Sequence, residues 1–380
     1  MKKVIIVQYR LLHYRLELFE RLQKACEARG IKLHLVHGQP TKREEKKRDV
    51  GTLSWADVVV NRYFSIGSKD VIWEPFPAQH KDADLVVFMQ ENRLLSNYPW
   101  LLLRGLHKAK VGYWGHGRNF QTRHPTGLLE KWKQFLVGRV DWWFAYTDMT
   151  KDILLSDGYP VERITVLDNA IDNEGFVADL AAITDDRLAE LRGELGLPEG
   201  AQVGLYCGSL YPDKRLDYMV AAADKIQAVL PNFHLLIIGD GPSASEIKEA
   251  AVSRPWLHWV GVRKGAEKAA YFRLADVVLN PGLVGLHVLD AFCAGLPMVT
   301  TSDARHSPEI AYLKDGENGL IVQGDADAYA DAIIALLQDP SRYAQLQAAA
   351  LAGAQRYTLQ NMVDSFVDGI ERCLLMDRKF

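Results

Sequence analysis

An α/β architecture of two parallel-sheet domains in tandem is what this sequence predicts, on three observations. The chain has 380 residues, enough for about two cores and too many for one. Short, continuous apolar runs rich in Val, Ile and Leu alternate with helix-like stretches, as in parallel sheets covered on both faces. Charge divides near the midpoint. Residues 1–170 hold 27 Lys or Arg against 19 Asp or Glu, an excess of eight; residues 171–380 hold 18 against 29, a deficit of eleven. Halves of opposite sign suit two domains that meet different partners.

The elements follow in order. KKVIIVQ is a β-rich run leading into the helix-like LELFERLQKACEARG, which Gly30 closes, and IKLHLVHG is again strand-like. Strand, helix and strand in so short a span form a right-handed parallel unit. The pattern continues through ADLVVFMQ, a helix-like stretch to Lys110, VGYWGHG, DWWFAYT, a helix from Thr150, and ITVLDNAID. Residues 173–199 are polar, helix-prone and end in LPEG, which reads as a connector. A second series begins with AQVGLYCGSL, a helix around Tyr218–Val229, FHLLIIGDGP with its helix, and WLHWVGV. ADVVLNPG, a helix from about Leu286, PMVTTSDA and GLIVQGD complete it. The predicted domains are Rossmann-like, residues 1–172 and 200–357, with an amphipathic helix at about 358–380 returning to the first.

Composition narrows the function. At 48% hydrophobic and 24% charged, the chain reads as globular. No apolar run reaches the roughly 20 residues of a spanning helix, and Val4 to Val7 is too short for a secretory leader, so a cytoplasmic location is expected. Cys26, Cys207, Cys293 and Cys373 are scattered without metal spacing. They read as buried free thiols, and no metal site is expected. Nucleic-acid signatures are missing. Seven of the nine tryptophans lie before residue 144, most of them explained by core packing. Residues 126–139, TGLLEKWKQFLVGR, mix apolar residues with Lys131, Lys133 and Arg139. That composition suits either a partly buried helix or one lying on an anionic membrane.

In open α/β sheets ligands bind at the carboxyl ends of strands, so the chemistry belongs on those loops. CGSLYPDKRLDYMVAAA ends a strand at Gly208 and brings Lys214 and Arg215 just before a helix. Glycine admits a phosphate close to the backbone and the cations neutralise it, although an exposed basic turn has the same composition. HLLIIGDGP reads as a sharp turn. NPGLVGLHVLDAFCAGLP opens a helix near Leu286 and His287, whose free N–H groups suit a diphosphate. Asp290 lies one turn in, placed for ribose hydroxyls or for the helix dipole. In the first half, His116 sits between Gly115 and Gly117 at a strand end, a placement that favours function.

Taken together, GSLYPDKR, GDGP, WVGV, ADVVLNP, GLVGLHVLDAFCAGLP, SPEI and DGENGL resemble, block by block, the family-4 retaining glycosyltransferases. In that family the blocks read G-R-L-x-x-x-K-G, G-D/E-G-P, a strand ending in G, A-D-x-x-x-x-P-S and E-G-x-G-x-x-x-x-E-A-x-x-x-G-x-P. The resemblance is strong over about residues 200–325. It implies a GT-B fold, two Rossmann-like domains facing across a cleft, with the acceptor on the first and a nucleotide-sugar on the second. Gly208, Ser209 and Lys214, with Arg215, would meet the donor diphosphate. Backbone at Val262 and Arg263 would meet the base; Gly285, Leu286 and His287 would offer N–H groups; Asp290 would bind ribose. Lys214, Arg215 and His116 are the expected catalytic residues. The donor is expected to be a nucleoside-diphosphate sugar, UDP favoured, and the acceptor a glycan or lipid-linked hydroxyl at the inner face of the cytoplasmic membrane. Neither metal nor separate cofactor is expected.

Three departures stand out. Ser209 replaces an Arg, Asp290 replaces the second Glu, and Gly282 replaces the first Glu of the paired-carboxylate block. The missing carboxylate is expected to open a small volume beside the sugar and to favour a deoxy- or amino-substituted donor. Two other readings stay open: a nucleotide-sugar epimerase of the same fold, and a binding subunit without activity.

Overall fold

The computed structural model describes residues 1–41, 44–45, 49–66, 69–117 and 135–378. The chain forms two compact units, Met1–Asp172 with Leu359–Phe380, and Asn173–Thr358.

The first unit is built on strands β1 (Lys2–Gln8), β2 (Ile31–His37), β3 (Asp57–Val58), β6 (Leu85–Met89), β7 (Lys110–Gly115), β8 (Trp142–Ala145) and β9 (Ile164–Val166). Their order is β3-β2-β1-β6-β7-β8-β9, every pair parallel. All five residues of β6 are buried, the pattern of a strand covered on both faces. Helix α1 (Leu16–Ala28) turns Leu18, Phe19, Leu22 and Cys26 inward at helical spacing. Helices α2 (Asn97–Leu102) and α3 (Asp148–Ser156) follow later strands. An antiparallel hairpin of β4 (Arg62–Ile66) and β5 (Lys69–Trp73) stands apart from the sheet. It is absent from the reading of the sequence, which placed no element between residues 38 and 83.

The second unit repeats the scheme. Strands β10 (Gln202–Cys207), β11 (Phe233–Ile238), β12 (Leu257–Gly261), β13 (Val277–Leu279), β14 (Met298–Thr301) and β15 (Gly319–Val322) form one parallel sheet, ordered β12-β11-β10-β13-β14-β15. The stretch read as a connector is instead two helices of this unit, α4 (Asn173–Ala182) and α5 (Asp185–Glu194). Phe176 of α4 meets Phe272 edge-on at 5.3 Å, so apolar side chains within the polar stretch make it part of the core. Helices α6 (Leu216–Val229), α7 (Ala244–Val252), α8 (Gly265–Leu274), α9 (His287–Cys293), α10 (Ala326–Leu337) and α11 (Pro340–Arg356) cover the sheet.

Helix α12 (Leu359–Leu375) completes the first unit. Its Phe366 stacks on Phe144 at 4.5 Å and meets Trp114 edge-on at 5.2 Å. Gly369 lies so close to Thr165 and Phe144 that a Cβ there would come within 3.0 Å of both. Lys110 donates to the carbonyls of Cys373 and Leu374 at 2.7 and 2.9 Å, a cation at the negative end of the helix dipole. Among the described residues no helix is long and apolar enough to cross a membrane.

Candidate functional site

In each sheet the strand order reverses beside its first strand, between β1 and β6 and between β10 and β13. Crevices open at such switch points, outside the carboxyl ends of the strands. The sites are therefore sought in the loops leaving these four strands and their neighbours.

In the second unit the loop after β10 lies directly on the turn after β11. Gly208 N–H donates to Ile238 O at 3.0 Å and Leu210 N–H to Asp240 O at 3.0 Å. A Cβ on Gly239 would collide with Gly208 O, and one on Gly241 with Leu210 O, both glycines at positive φ. The GDGP turn is thus a packing device that brings backbone against backbone.

Beyond this contact a 3-10 turn, Pro212–Lys214, delivers Lys214 inward. Its side chain is 4% exposed and its ammonium donates to Leu283 O. Burial lowers its pKa to about 8, because taking an ammonium out of water favours the neutral amine. Lys214 is the buried cation of this loop. Arg215 turns elsewhere. Its guanidinium binds Thr301 Oγ1 at 3.0 Å and Asp303 Oδ1 at 2.7 Å, and lies 4.2 Å from the Tyr218 ring centre. It adopts the left-handed conformation, φ 54, at the place where the block G-R-L-x-x-x-K-G carries its last glycine. That departure escaped the sequence reading.

The loop after β13 faces Lys214. Asn280 Nδ2 donates to Gly282 O at 3.2 Å, Thr301 Oγ1 to Pro281 O at 2.7 Å, and Leu283 N–H to Asp213 O at 2.9 Å. His306 accepts from Val284 N–H at 3.2 Å through Nδ1 and reaches Thr301 O at 2.7 Å through Nε2. The two partners assign its proton to Nε2. With the loop held this way, the N–H groups of Gly285 and Leu286 meet no acceptor among the described residues. Together with the start of α9 they can receive an anion.

Gly282 corrects an expectation. A Cβ there would strike Asp213 O and the Lys214 backbone, so no volume opens where the carboxylate is missing. The chain of residues 213–214 fills it.

Asp290 is 7% exposed and accepts from Lys268 Nζ at 2.9 Å through Oδ1. Burial raises its pKa, and Lys268 lowers it in part. Its Oδ2 has no protein partner among the described residues, which leaves one acceptor for a ligand hydroxyl. Lys268 itself rides 4.1 Å from the Phe176 ring centre. Nothing in the sequence flagged it, because its significance rests on α4 and α8 meeting in space. The His287 ring is neutral, held well below its usual pKa by burial and then by Lys214 and Lys268. Cys207, pushed up to about 12 by burial and then by Asp290, is a poor nucleophile. Ser209 is exposed. Val262 and Arg263 lie just past β12, where Arg263 Nη1 bonds Val262 O at 3.1 Å. No hydrogen bond ties them to Lys214.

In the first unit the loops after β1, β7 and β8 converge on Arg15, 6% exposed. Its guanidinium donates to Gln8 Oε1 at 2.8 Å and Tyr146 OH at 2.7 Å, and lies 4.3 Å from the Trp114 ring centre. The His116 ring centre is 4.2 Å from that of Tyr146. Burial, then the charge of Arg15, lowers the His116 pKa to about 3. At neutral pH it is a neutral hydrogen-bonding group. Nothing in the sequence singles out Arg15, because its partners lie on other elements. Most of the basic stretch 126–139, including Lys131 and Lys133, lies outside the described residues.

Residues 201–339 match the family described as glycosyl transferases group 1. The chain is 30% identical over 243 residues to a D-inositol 3-phosphate glycosyltransferase of Stackebrandtia nassauensis, covering 57% of this chain and 52% of that one. It is 26% identical over 241 residues to a phosphatidyl-myo-inositol mannosyltransferase of Mycobacterium leprae, covering 61% and 58%. The chain spans about half the length of the curated relatives it matches. The HepE protein of Anabaena, solved in complex with UDP, superposes with a TM-score of 0.70 over 98% of this chain and 100% of its own, at 14% identity. That likeness establishes the fold as GT-B. Over residues 201–339, the chain is thus similar to the group 1 glycosyl transferases.

Proposed function

We propose that the chain is a glycosyltransferase that takes its sugar from a nucleoside-diphosphate donor, UDP favoured, and delivers it with retention to a glycan or lipid-linked hydroxyl. The observation that carries this is the meeting of buried Lys214 with a loop whose Gly285 and Leu286 N–H groups stay open, at a sheet switch point. One buried cation and several N–H donors aimed at one place suit a diphosphate. Asp290 Oδ2 then takes a ribose hydroxyl, and the loop at Val262 and Arg263 borders the base.

As the bond from the anomeric carbon to the diphosphate oxygen breaks, its electron pair leaves with the diphosphate. The acceptor oxygen bonds to the same face of that carbon, and its proton passes to the leaving phosphate. Lys214 and the N–H groups stabilise the departing charge without moving, the kind of fixed electrostatic help that contributes most in a dry site. Neutral His116 serves as a hydrogen-bonding partner on the first unit. Diphosphate release from a panel of nucleotide-sugars, with and without candidate acceptors, tests the reading. Donor turnover to an epimer in the absence of acceptor would replace it with an isomerase.

A lipid-linked acceptor at a membrane surface is supported by exposed Leu102, Leu103, Leu106 and Phe135 in the first unit, whose residues 1–170 carry the basic excess. Each cation near anionic lipid contributes about 1 kcal/mol. Co-sedimentation with anionic vesicles should therefore occur at low salt and disappear at high salt; no binding at low salt removes the proposal.

A further inference from the structure

We propose that His34, Asp57 and His80 of the first unit form a site for one divalent transition-metal ion of the zinc class, separate from the donor site. Each offers a ligand atom, and the three atoms lie within 4.8 Å of one another. Their convergence follows from the fold. Asp57 of β3 pairs with Val36 of β2, and His34, two residues earlier on β2, shares that face. The 3-10 turn Ala78–His80 supplies the second imidazole. Lys3 holds the turn in place by donating to Gln79 O at 2.7 Å.

Three contacts define the cluster. His80 Nε2 meets Asp57 Oδ2 at 2.6 Å, the two imidazole centres are 4.6 Å apart, and Gln79 Nε2 steadies Asp57 Oδ1 at 3.1 Å. His80 is 3% exposed. His34 Nε2 is buried without a hydrogen-bond partner, a cost that an ion held with Asp57 and His80 would remove. Two imidazoles and a carboxylate are a donor set that suits zinc and its neighbours better than calcium or magnesium. Zinc places its ligand atoms roughly 3.4 Å apart, closer than the 4.8 Å within which the three atoms now lie. Because Asp57 begins the two-residue edge strand β3, the ion would pin that strand to β2 and to the turn. Its role is structural, and the transfer reaction proposed above does not pass through it.

The test uses untagged full-length protein, exposed to equimolar zinc, desalted, and assayed for bound metal and thermal midpoint. Wild type should retain about one zinc per chain and melt at a higher temperature, as a ligand of the folded state requires. His34→Gln and Asp57→Asn, at half-buried positions, should lose both while melting like metal-free wild type. Absence of retained zinc in wild type, or unchanged retention in both variants, overturns the proposal. Cobalt(II) substitution in wild type decides the matter even if a variant does not fold. Visible bands of a tetrahedral site without a sulfur charge-transfer band support the His–Asp–His set; a sulfur band assigns the metal to cysteine and overturns it.

Discussion

The loop after β1 and the loop after β10 hold the same place in two copies of one topology, and they are built in opposite ways. Around β1 the space is filled by side chains that bond one another, although Gln8 Nε2 and Arg15 Nε stay buried without a partner. Arg15 bonds Gln8 and Tyr146, Arg10 bonds Asp49 at 2.7 Å, and Tyr9 OH donates to Glu44 at 2.9 Å. Around β10 it is filled by backbone, with Gly239 and Gly241 pressed on residues 208–210. One buried ammonium and open N–H groups are left facing the crevice. A repeated fold therefore does not repeat its chemistry. The loop after β1 offers neutral and paired polar groups, the loop after β10 a cation and free N–H donors.

The largest test of this contrast is Lys214→Ala. Turnover should fall by about 10² to 10³, the scale of one lost transition-state electrostatic contact, while the thermal midpoint stays near wild type. A folded variant with near-normal turnover would make the lysine a mere packing group. The free-protein ammonium titrates near pH 8; it is charged below and neutral above. Donor affinity should accordingly weaken as pH rises past 8, by at most about tenfold per unit.

Next in size is Glu74, 3% exposed in the first unit and raised by burial to about 8. Its folded pKa lies above the unfolded one. The stabilisation from the protonated acid is thus complete below pH 4.5 and lost as pH rises through about 8. Glu74→Gln should stabilise the protein at pH 8 by roughly 2–4 kcal/mol relative to its effect at pH 4, read by denaturant melts at the two pH values. Equal effects at both would show that the carboxyl is not buried.

Arg15→Ala should cost roughly 1–3 kcal/mol, because it takes away the partner of the buried Gln8 Oε1. If stability instead holds and turnover collapses, Arg15 belongs to the reaction. Smallest is Arg215→Gly. It relieves a left-handed backbone worth about 1–2 kcal/mol and gives up an ion pair with a half-exposed aspartate, worth at most about 1 kcal/mol. The melting change should stay within about 1 kcal/mol, and a large loss would mean that Arg215 fixes the loop.

The two-sheet plan was legible because buried parallel strands announce themselves as unbroken apolar runs: VIIV of β1, LVVFM of β6 and LLII of β11. The hairpin at Arg62–Trp73 was not, since its alternation is weak and it lies outside the sheet. Lys214, Leu286 and Asp290 could be picked out because chain neighbours frame them. Lys268, His306 and Arg15 could not, for their partners lie on other elements. Gly282 shows the limit most clearly. Its missing side chain reads as an empty place in the sequence, whereas in space the backbone of Asp213 and Lys214 already stands there.

Helix α12 bears on the order in which the chain can mature during synthesis. Its Phe366 closes over Phe144 and Trp114, and Lys110 anchors its last carbonyls, yet it is translated only after the whole second unit. The earlier-made sheet must wait on the ribosome with that face uncovered, while the later-made unit is finished first. Nascent chains stalled before residue 359 should then show a protease-resistant second unit and a protease-sensitive first. Premature termination anywhere in residues 359–375 would harm the domain at the opposite end of the message, and spare the one just completed.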